Sequence, residues 1–276
     1  YKRVLNKTQE VSMKKYVKNT TVEWFLDLLF PCYCRGCGKI GAGLCERCYF
    51  YNRKKNSAFA SSVDKEFKQI FACGMREGLL SEMVMEYKFY SRRYYAGVFA
   101  RLITEVIMEL SEAETEEYVI VPLPTISRHI RERGFDHIGF LCDKMAAKYG
   151  FKVERLLERA NSAVQVGSSA EQRLKQARRA YRIASGVHLD EKSHYLLVDD
   201  VWTTGASMRA ARAVLVEEMR RKTGVMGNRR AMKKEECVNK ERSVRAMGGE
   251  KDTGNEKSNI KISAIVIAKN DGYEFK

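Results

Sequence analysis

Nothing in the sequence is long and apolar enough to suggest a membrane span. Although 45% of its 276 residues are hydrophobic, no uninterrupted run approaches a bilayer-spanning stretch, for which ~18–20 residues are needed. The apolar patch WFLDLLF, residues 24–30, is short, is interrupted by Asp27 and follows no secretory pattern. These absences argue against an integral helical membrane protein and predict a soluble one with a real core. Acid is also in short supply: 35 Asp and Glu face 50 Lys and Arg, a formal charge of +15. That balance favours anionic partners such as nucleotides, nucleic acid or phosphorylated metabolites. Because the basic residues are spread along the chain, a solubilising surface accounts for the charge equally well. Aromatic residues are missing altogether from residues 223–259, a stretch dense in charge and glycine that reads as a disordered or mobile insertion.

Cysteine, by contrast, is crowded. Five of the eight fall within CYCRGCGKIGAGLCERC, residues 32–48. Cys34 and Cys37 form one C-x2-C pair, Cys45 and Cys48 another, and the intervening glycines let the backbone turn its amides toward thiolates. Two such pairs can wrap a tetrahedral zinc ion in a closed site, whose role is structural because no coordination position stays open. A disulfide staple is the competing reading. The scattered remaining cysteines and the missing signal segment favour metal in a reducing, cytoplasmic setting. Cys32 is a spare, since C-x4-C spacing to Cys37 is less usual.

Along the rest of the chain, apolar periodicity predicts strands alternating with helices, the mark of a parallel sheet in an α/β domain. A short strand is expected at 69–73, two helices after it with the second over 92–110, and a strand in YVIVPLP. A basic loop then becomes a helix from 136 to a C-cap at Gly150, with a short strand in FKVERLLER. The helix 206–222 and the strand KISAIVIAK complete the pattern.

The stretch YLLVDDVWTTGAS, residues 195–207, runs four apolar residues into two adjacent acids. Burying an unpaired carboxylate costs several kcal/mol, so Asp199 and Asp200 are expected at an open strand end, facing solvent, a ligand or a metal. The turn that follows offers hydroxyls from Thr203, Thr204 and Ser207 and amides from Gly205 and Ala206, a nest for a phosphate dianion at a helix start. Acids beside a phosphate nest suit a sugar phosphate, and magnesium can bridge its hydroxyls to a pyrophosphate. A simple helix cap is the plainer alternative.

This signature resembles the phosphoribosyl-pyrophosphate motif of type I phosphoribosyltransferases. The order of cysteine knuckle after LLFP, then VPLPTISRHIRERGFDHIGFL, then VDDVWTTGAS is similar to the ComF family of competence-associated proteins, which join a zinc finger to such a domain. The segments EYKF at 86–89 and SSAEQRLKQARRAYRI from 168 also fall where that family has comparable ones. The resemblance covers roughly residues 24–222 plus the last strand and implies a zinc knuckle at 21–52 and a phosphoribosyltransferase-like α/β domain at 53–276; the basic tail at 1–20 and the insertion at about 223–259 lie outside it. It implies that Asp199 and Asp200 contact ribose hydroxyls and that Thr203, Thr204, Gly205, Ala206 and Ser207 hold the 5'-phosphate. Arg128, Arg131, Arg133 and Gly134 match the family's pyrophosphate-binding RGF loop, where arginine forks suit phosphate oxygens; a solvated basic turn is the alternative. Arg173 lies in a stretch that can fold over the site as a lid. The chain departs from the family where RGF is followed by Asp136 and His137 instead of Asn and Gln. His137 is given no role, and Lys88 reads as a site residue or a surface helix lysine with equal ease.

Three functions follow from these expectations. One is an enzyme displacing pyrophosphate from phosphoribosyl pyrophosphate. Another is a non-catalytic adaptor or sensor in competence and DNA uptake or processing, meeting DNA-processing proteins or single-stranded DNA. The last is a plain nucleic-acid binder, disfavoured because the knuckle, apart from Tyr33, Tyr49, Phe50 and Tyr51, lacks the interleaved aromatic and basic pattern of a stacking platform.

Overall fold

Two long apolar segments, one around residues 194–202 and one at 261–269, organise the molecule. The computed structural model describes residues 31–61, 66–110, 118–160, 180–222 and 260–270. The basic tail, Arg173 with its surrounding stretch, and the insertion at 223–259 lie outside the described residues.

Helix α1 (Glu46–Lys55) follows the cysteine knuckle and leads to strands β1 (Phe59–Ser61) and β2 (Ile70–Ala72). Helices α2 (Gly78–Phe89) and α3 (Tyr95–Leu110) precede β3 (Tyr118–Pro122). Next come α4 (Ser127–Arg133), α5 (His137–Tyr149), β4 (Lys152–Val153), β5 (Leu157–Arg159) and β6 (Tyr181–Ile183). The chain then forms β7 (His194–Trp202), α6 (Ala206–Lys222) and β8 (Lys261–Lys269). The main sheet has the order β1-β2-β8-β7-β3-β4, with only β1 antiparallel. A separate antiparallel pair joins β5 to β6.

Both faces of this sheet are buried, as expected of central parallel strands. Leu196 and Val198 of β7, with Ile265 and Ile267 of β8, pack under α2, α3 and α5. Their neighbours Tyr195, Leu197, Ala264 and Val266 pack instead under α6 and the β5–β6 pair. The knuckle rests on the first of these cores: Cys34, Leu44 and Tyr49 are buried in the same cluster as Tyr95 and Phe99 of α3. Around this joint Tyr49 donates its hydroxyl to Glu105 at 2.7 Å, and Arg101 bridges Glu46 at 2.6 Å and Glu105 at 2.9 Å.

Two expectations change in detail. The stretch expected as a basic loop is the short helix α4, supported by an Arg128–Glu132 pair at 2.7 Å, one turn apart, and closed by Gly134 at φ +74°. Strand β7 does not stop at the acids but runs on to Trp202, because β8 is equally long and keeps pairing as far as Lys269. Among the described residues, no helix is long and apolar enough to cross a membrane.

Candidate functional site

Sheet connectivity creates the cleft. From β3 the chain leaves through α4 and α5 to β4 on one side, whereas from β7 it leaves through α6 toward β8 on the other. Between β3 and β7 the winding therefore reverses, and in open α/β sheets ligands sit beyond the carboxyl ends of strands at such a point. Pro122, the last residue of β3, pairs with Val198, so β7 continues past its neighbour from Asp199 onward. Here a cleft of about 320 Å³ opens, lined by both acids, Thr203 and Ser207, and by the cationic or imidazole side chains of Arg76, Lys88, His129, Arg133, His137 and Arg159.

Successive strand residues point to opposite faces, and the two acids obey that rule. Asp200 turns toward α2 and α5. It is 4% exposed, and its Oδ2 meets Lys88 Nζ at 2.5 Å and His137 Nε2 at 3.1 Å. Burial opposes its charge, but the His137 hydrogen bond and the Lys88 ammonium outweigh it and hold the carboxyl well below the ordinary range. The expectation that both acids escape burial is corrected for Asp200: it is buried and satisfied internally, which removes the penalty that the sequence argument assigned to it.

Asp199 turns toward β5, β6 and α6. Its Oδ1 accepts the backbone N–H of Asp200 at 2.9 Å, and among the described residues it has no ion-pair partner. Burial, then the Asp200 charge, raises its carboxyl to about 7. Nearby, Arg159 donates to Pro124 O at 3.0 Å and stacks 4.5 Å above the Tyr181 ring.

The glycine-hydroxyl turn feeds the seventeen-residue helix α6, whose first turn carries no acid, an arrangement that leaves its amides attractive to anions. Thr203, Thr204, Ala206 and Ser207 are exposed and Gly205 is buried. Gly205 has φ +73°, and a Cβ there would stand 2.4 Å from the Trp202 ring. Glycine is thus required both for the left-handed turn and for close packing on Trp202.

Of the expected basic residues that the structure describes, only Arg133 reaches the cleft lining. Its Nη1 approaches His137 Nδ1 at 3.3 Å, and its guanidinium lies 5.3 Å from the Phe89 ring. Arg128 is exposed and paired with Glu132, Arg131 is exposed outside the lining, and Gly134 caps α4 while its carbonyl accepts from Arg93 at 3.0 Å. Lys88 and His137 are the site residues that sequence reasoning left unassigned. Their signal was present in the EYKF segment and in the acid and histidine directly after RGF. Within the former, Glu86 binds Arg35 of the knuckle at 3.0 Å, Tyr87 donates to His137 O at 2.5 Å and Lys88 holds Asp200.

In the knuckle, Cys34, Cys37, Cys45 and Cys48 bring their Sγ atoms within 4.8 Å of one another. Cys37 and Cys45 sulfurs are 3.7 Å apart, matching the edge of about 3.8 Å that a tetrahedron with ~2.3 Å zinc–sulfur bonds requires. Positive-φ turns at Gly38 and Gly41 fold the loop, and a Cβ on Gly36 would stand 2.8 Å from Cys48 Sγ. Burial works against ionising Cys34, yet backbone N–H groups of Cys45, Cys37 and Gly36 bring its thiol down to about 6. Burial and the neighbouring thiols push Cys48 up to about 12. Four sulfurs this close can all ionise only around a cation, so the group can hold a metal ion such as zinc. Cys32 stands outside it.

No family model matches the chain. The competence protein ComFC of Streptococcus pneumoniae (strain ATCC BAA-255 / R6) is 28% identical over 138 residues, which are 50% of this chain and 57% of that protein. The aligned part thus spans little more than half of that relative's length. A crystal structure of adenine phosphoribosyltransferase from Leishmania tarentolae aligns with a TM-score of 0.35 at 10% identity, covering 77% of this chain and 95% of that one. The mostly parallel sheet and the cysteine knuckle match the expected α/β architecture, and the resemblance to ComF proteins read from the motif order is borne out by the similarity to ComFC.

Proposed function

We propose that the protein binds a phosphorylated ribose, phosphoribosyl pyrophosphate or a related ribose 5-phosphate, in the cleft between β3 and β7. The observation that carries this reading is the meeting, at one crossover point, of an acid without an ion pair among the described residues, a hydroxyl-lined helix start and a wall of cations. Acids accept from sugar hydroxyls, helix-start amides and hydroxyls grip a phosphate, and guanidinium and ammonium groups face the remaining phosphoryl charge. In this reading Thr203, Thr204, Gly205, Ala206 and Ser207 take the 5'-phosphate, and the acidic pair Asp199 and Asp200 stands on the ribose side. Arg133 faces the pyrophosphate, with Arg128 and Arg131 on the same basic helix, Gly134 as its cap, and Arg173, which lies outside the described residues, as a further proposed contact. Magnesium, where bound, screens the phosphoryl charge, and Asp199 is the acid with a carboxylate available to share it.

If the protein is a transferase, an acceptor nucleophile forms a bond to the anomeric carbon while the carbon–oxygen bond to pyrophosphate breaks, the electron pair leaving with the diphosphate. The cationic wall would stabilise that leaving group. Zinc in the knuckle is structural in this account, because four thiolates close its coordination. The similarity to a competence protein supports a place in competence; a cytoplasmic role in DNA uptake or processing, with DNA-processing proteins or single-stranded DNA as partners, completes the proposal. A non-catalytic adaptor that keeps the sugar-phosphate site is the alternative.

Thermal melting with phosphoribosyl pyrophosphate and magnesium tests the reading. A ligand at one hundred times its dissociation constant stabilises by about 2.7 kcal/mol, so a clear upward shift is expected. No shift at millimolar ligand contradicts binding. Pyrophosphate release with candidate acceptors then separates enzyme from adaptor.

A further inference from the structure

The two adjacent acids are not equivalent, and the side chains around Asp200 form a chain of contacts that reaches two cations. Lys88 Nζ lies 2.5 Å from Asp200 Oδ2, and His137 Nε2 lies 3.1 Å from the same oxygen. On the other side of the imidazole, Arg133 Nη1 is 3.3 Å from Nδ1. A guanidinium has only donors, so Nδ1 accepts from Arg133, and Nε2 is left to donate its N–H to Asp200. His137 itself is fixed from behind, since Tyr87 of α2 donates to its carbonyl and packs edge-on to its ring at 6.0 Å between centroids. Lys88 and Arg133 line the cleft with side chains more open than that of Asp200, which is only 6% exposed against 29% for Lys88.

We infer that Asp200 and His137 are positioning residues, which hold the Lys88 ammonium and the Arg133 guanidinium against the cleft wall as a two-cation clamp for the ligand's phosphoryl groups, leaving Asp199 as the acid that meets the sugar. This assignment rests on the proposed sugar-phosphate site and divides labour within it. The ammonium and the imidazole N–H both meet Oδ2 of a side chain that is only 6% exposed, so little of this carboxylate's surface is open to sugar hydroxyls. The same carboxylate fixes a flexible lysine that would otherwise lose rotamer freedom on binding an anion. Lys88 thereby becomes a specificity element for the pyrophosphate end of the ligand, and the clamp explains why a histidine able to both donate and accept sits at the start of α5.

The test is a calorimetric titration of the full chain with phosphoribosyl pyrophosphate and magnesium, and separately with ribose 5-phosphate. Lys88→Met is expected to weaken phosphoribosyl pyrophosphate by about tenfold or more and ribose 5-phosphate by much less, since the lost charge faces the diphosphate. Asp200→Asn should weaken phosphoribosyl pyrophosphate in the wild-type background yet add less than about twofold in the Lys88→Met background, whereas Asp199→Asn keeps its full effect in both. His137→Gln, whose amide can donate to Asp200 and accept from Arg133, should stay within about threefold of wild type while His137→Leu does not. Lys88→Arg, which keeps the charge, serves as the folded substitute should Lys88→Met melt early, and is expected to retain most of the affinity. Equal losses from Asp200→Asn in the two backgrounds, or His137→Gln no better than His137→Leu, overturn the clamp while the sugar-phosphate reading stands. A wild-type chain that binds neither ligand overturns both.

Discussion

The knuckle and the cleft face the same physical problem, negative groups crowded within a few ångströms, and solve it in opposite ways. At the knuckle, four sulfurs lie within 4.8 Å of one another as a group that can hold a metal ion, which would bring the neutralising charge from outside the chain. At the cleft, one of the two acids has its cation built in, as Lys88 sits 2.5 Å from Asp200, while Asp199 has none among the described residues. The contrast teaches that a carboxylate already neutralised by the protein organises a site, whereas groups left without a partner mark where a ligand or ion acts.

Withdrawing the external cation should have the largest effect. The knuckle contributes Cys34, Leu44 and Tyr49 to the core under α3, so a strong chelator, or Cys45→Ser, is expected to cost several kcal/mol and to expose that face. Thermal melting with metal analysis checks this, with one ion per chain expected before chelation. Withdrawing the internal cation should cost less. Lys88→Met strands a buried carboxylate on one imidazole, and because the lysine side chain is 29% exposed, about 1–3 kcal/mol is expected in urea denaturation.

Gly205→Ala probes the turn between the acids and α6. It forces a side chain into φ +73° and against Trp202, with an expected cost of about 1–3 kcal/mol and weakened phosphate binding as the amides shift. The smallest effect separates the acids by pH. Asp199 is raised in the folded state from 3.8 to about 7, so the folded chain binds the extra proton and wild-type stability falls as pH rises between these values. Asp199→Asn should remove that fall and gain on the order of 1 kcal/mol or more over wild type by pH 8, seen as a flatter profile of melting temperature against pH. Asp200 has the opposite sign: its stabilisation is present above its ordinary range and is lost as pH falls through its depressed folded value.

Much of this was legible in one dimension. The apolar runs of β7 and β8 announced a buried parallel sheet, two C-x2-C pairs announced the metal group, and Gly150 marked the end of α5 with positive φ. What could not be read was pairing across distance. Lys88 and His137 lie 112 and 63 residues before Asp200, and whether a helix lysine meets solvent or a buried acid depends on helix packing that periodicity does not encode. Alternation along β7 already implied that neighbouring acids face different layers, a consequence that only the positions of α2 and α5 made concrete. The basic stretch after β3 was legible as charge but not as helix, so three arginines looked equivalent although only Arg133 lines the cleft.

A crystal structure of the chain soaked with ribose 5-phosphate tests the central claim most directly. The account predicts the phosphate at the turn of Thr203, Gly205 and Ser207, with the sugar hydroxyls on Asp199 and the Lys88–Asp200 contact intact. A phosphate bound away from that turn, or sugar hydroxyls that displace Lys88 from Asp200, would contradict it.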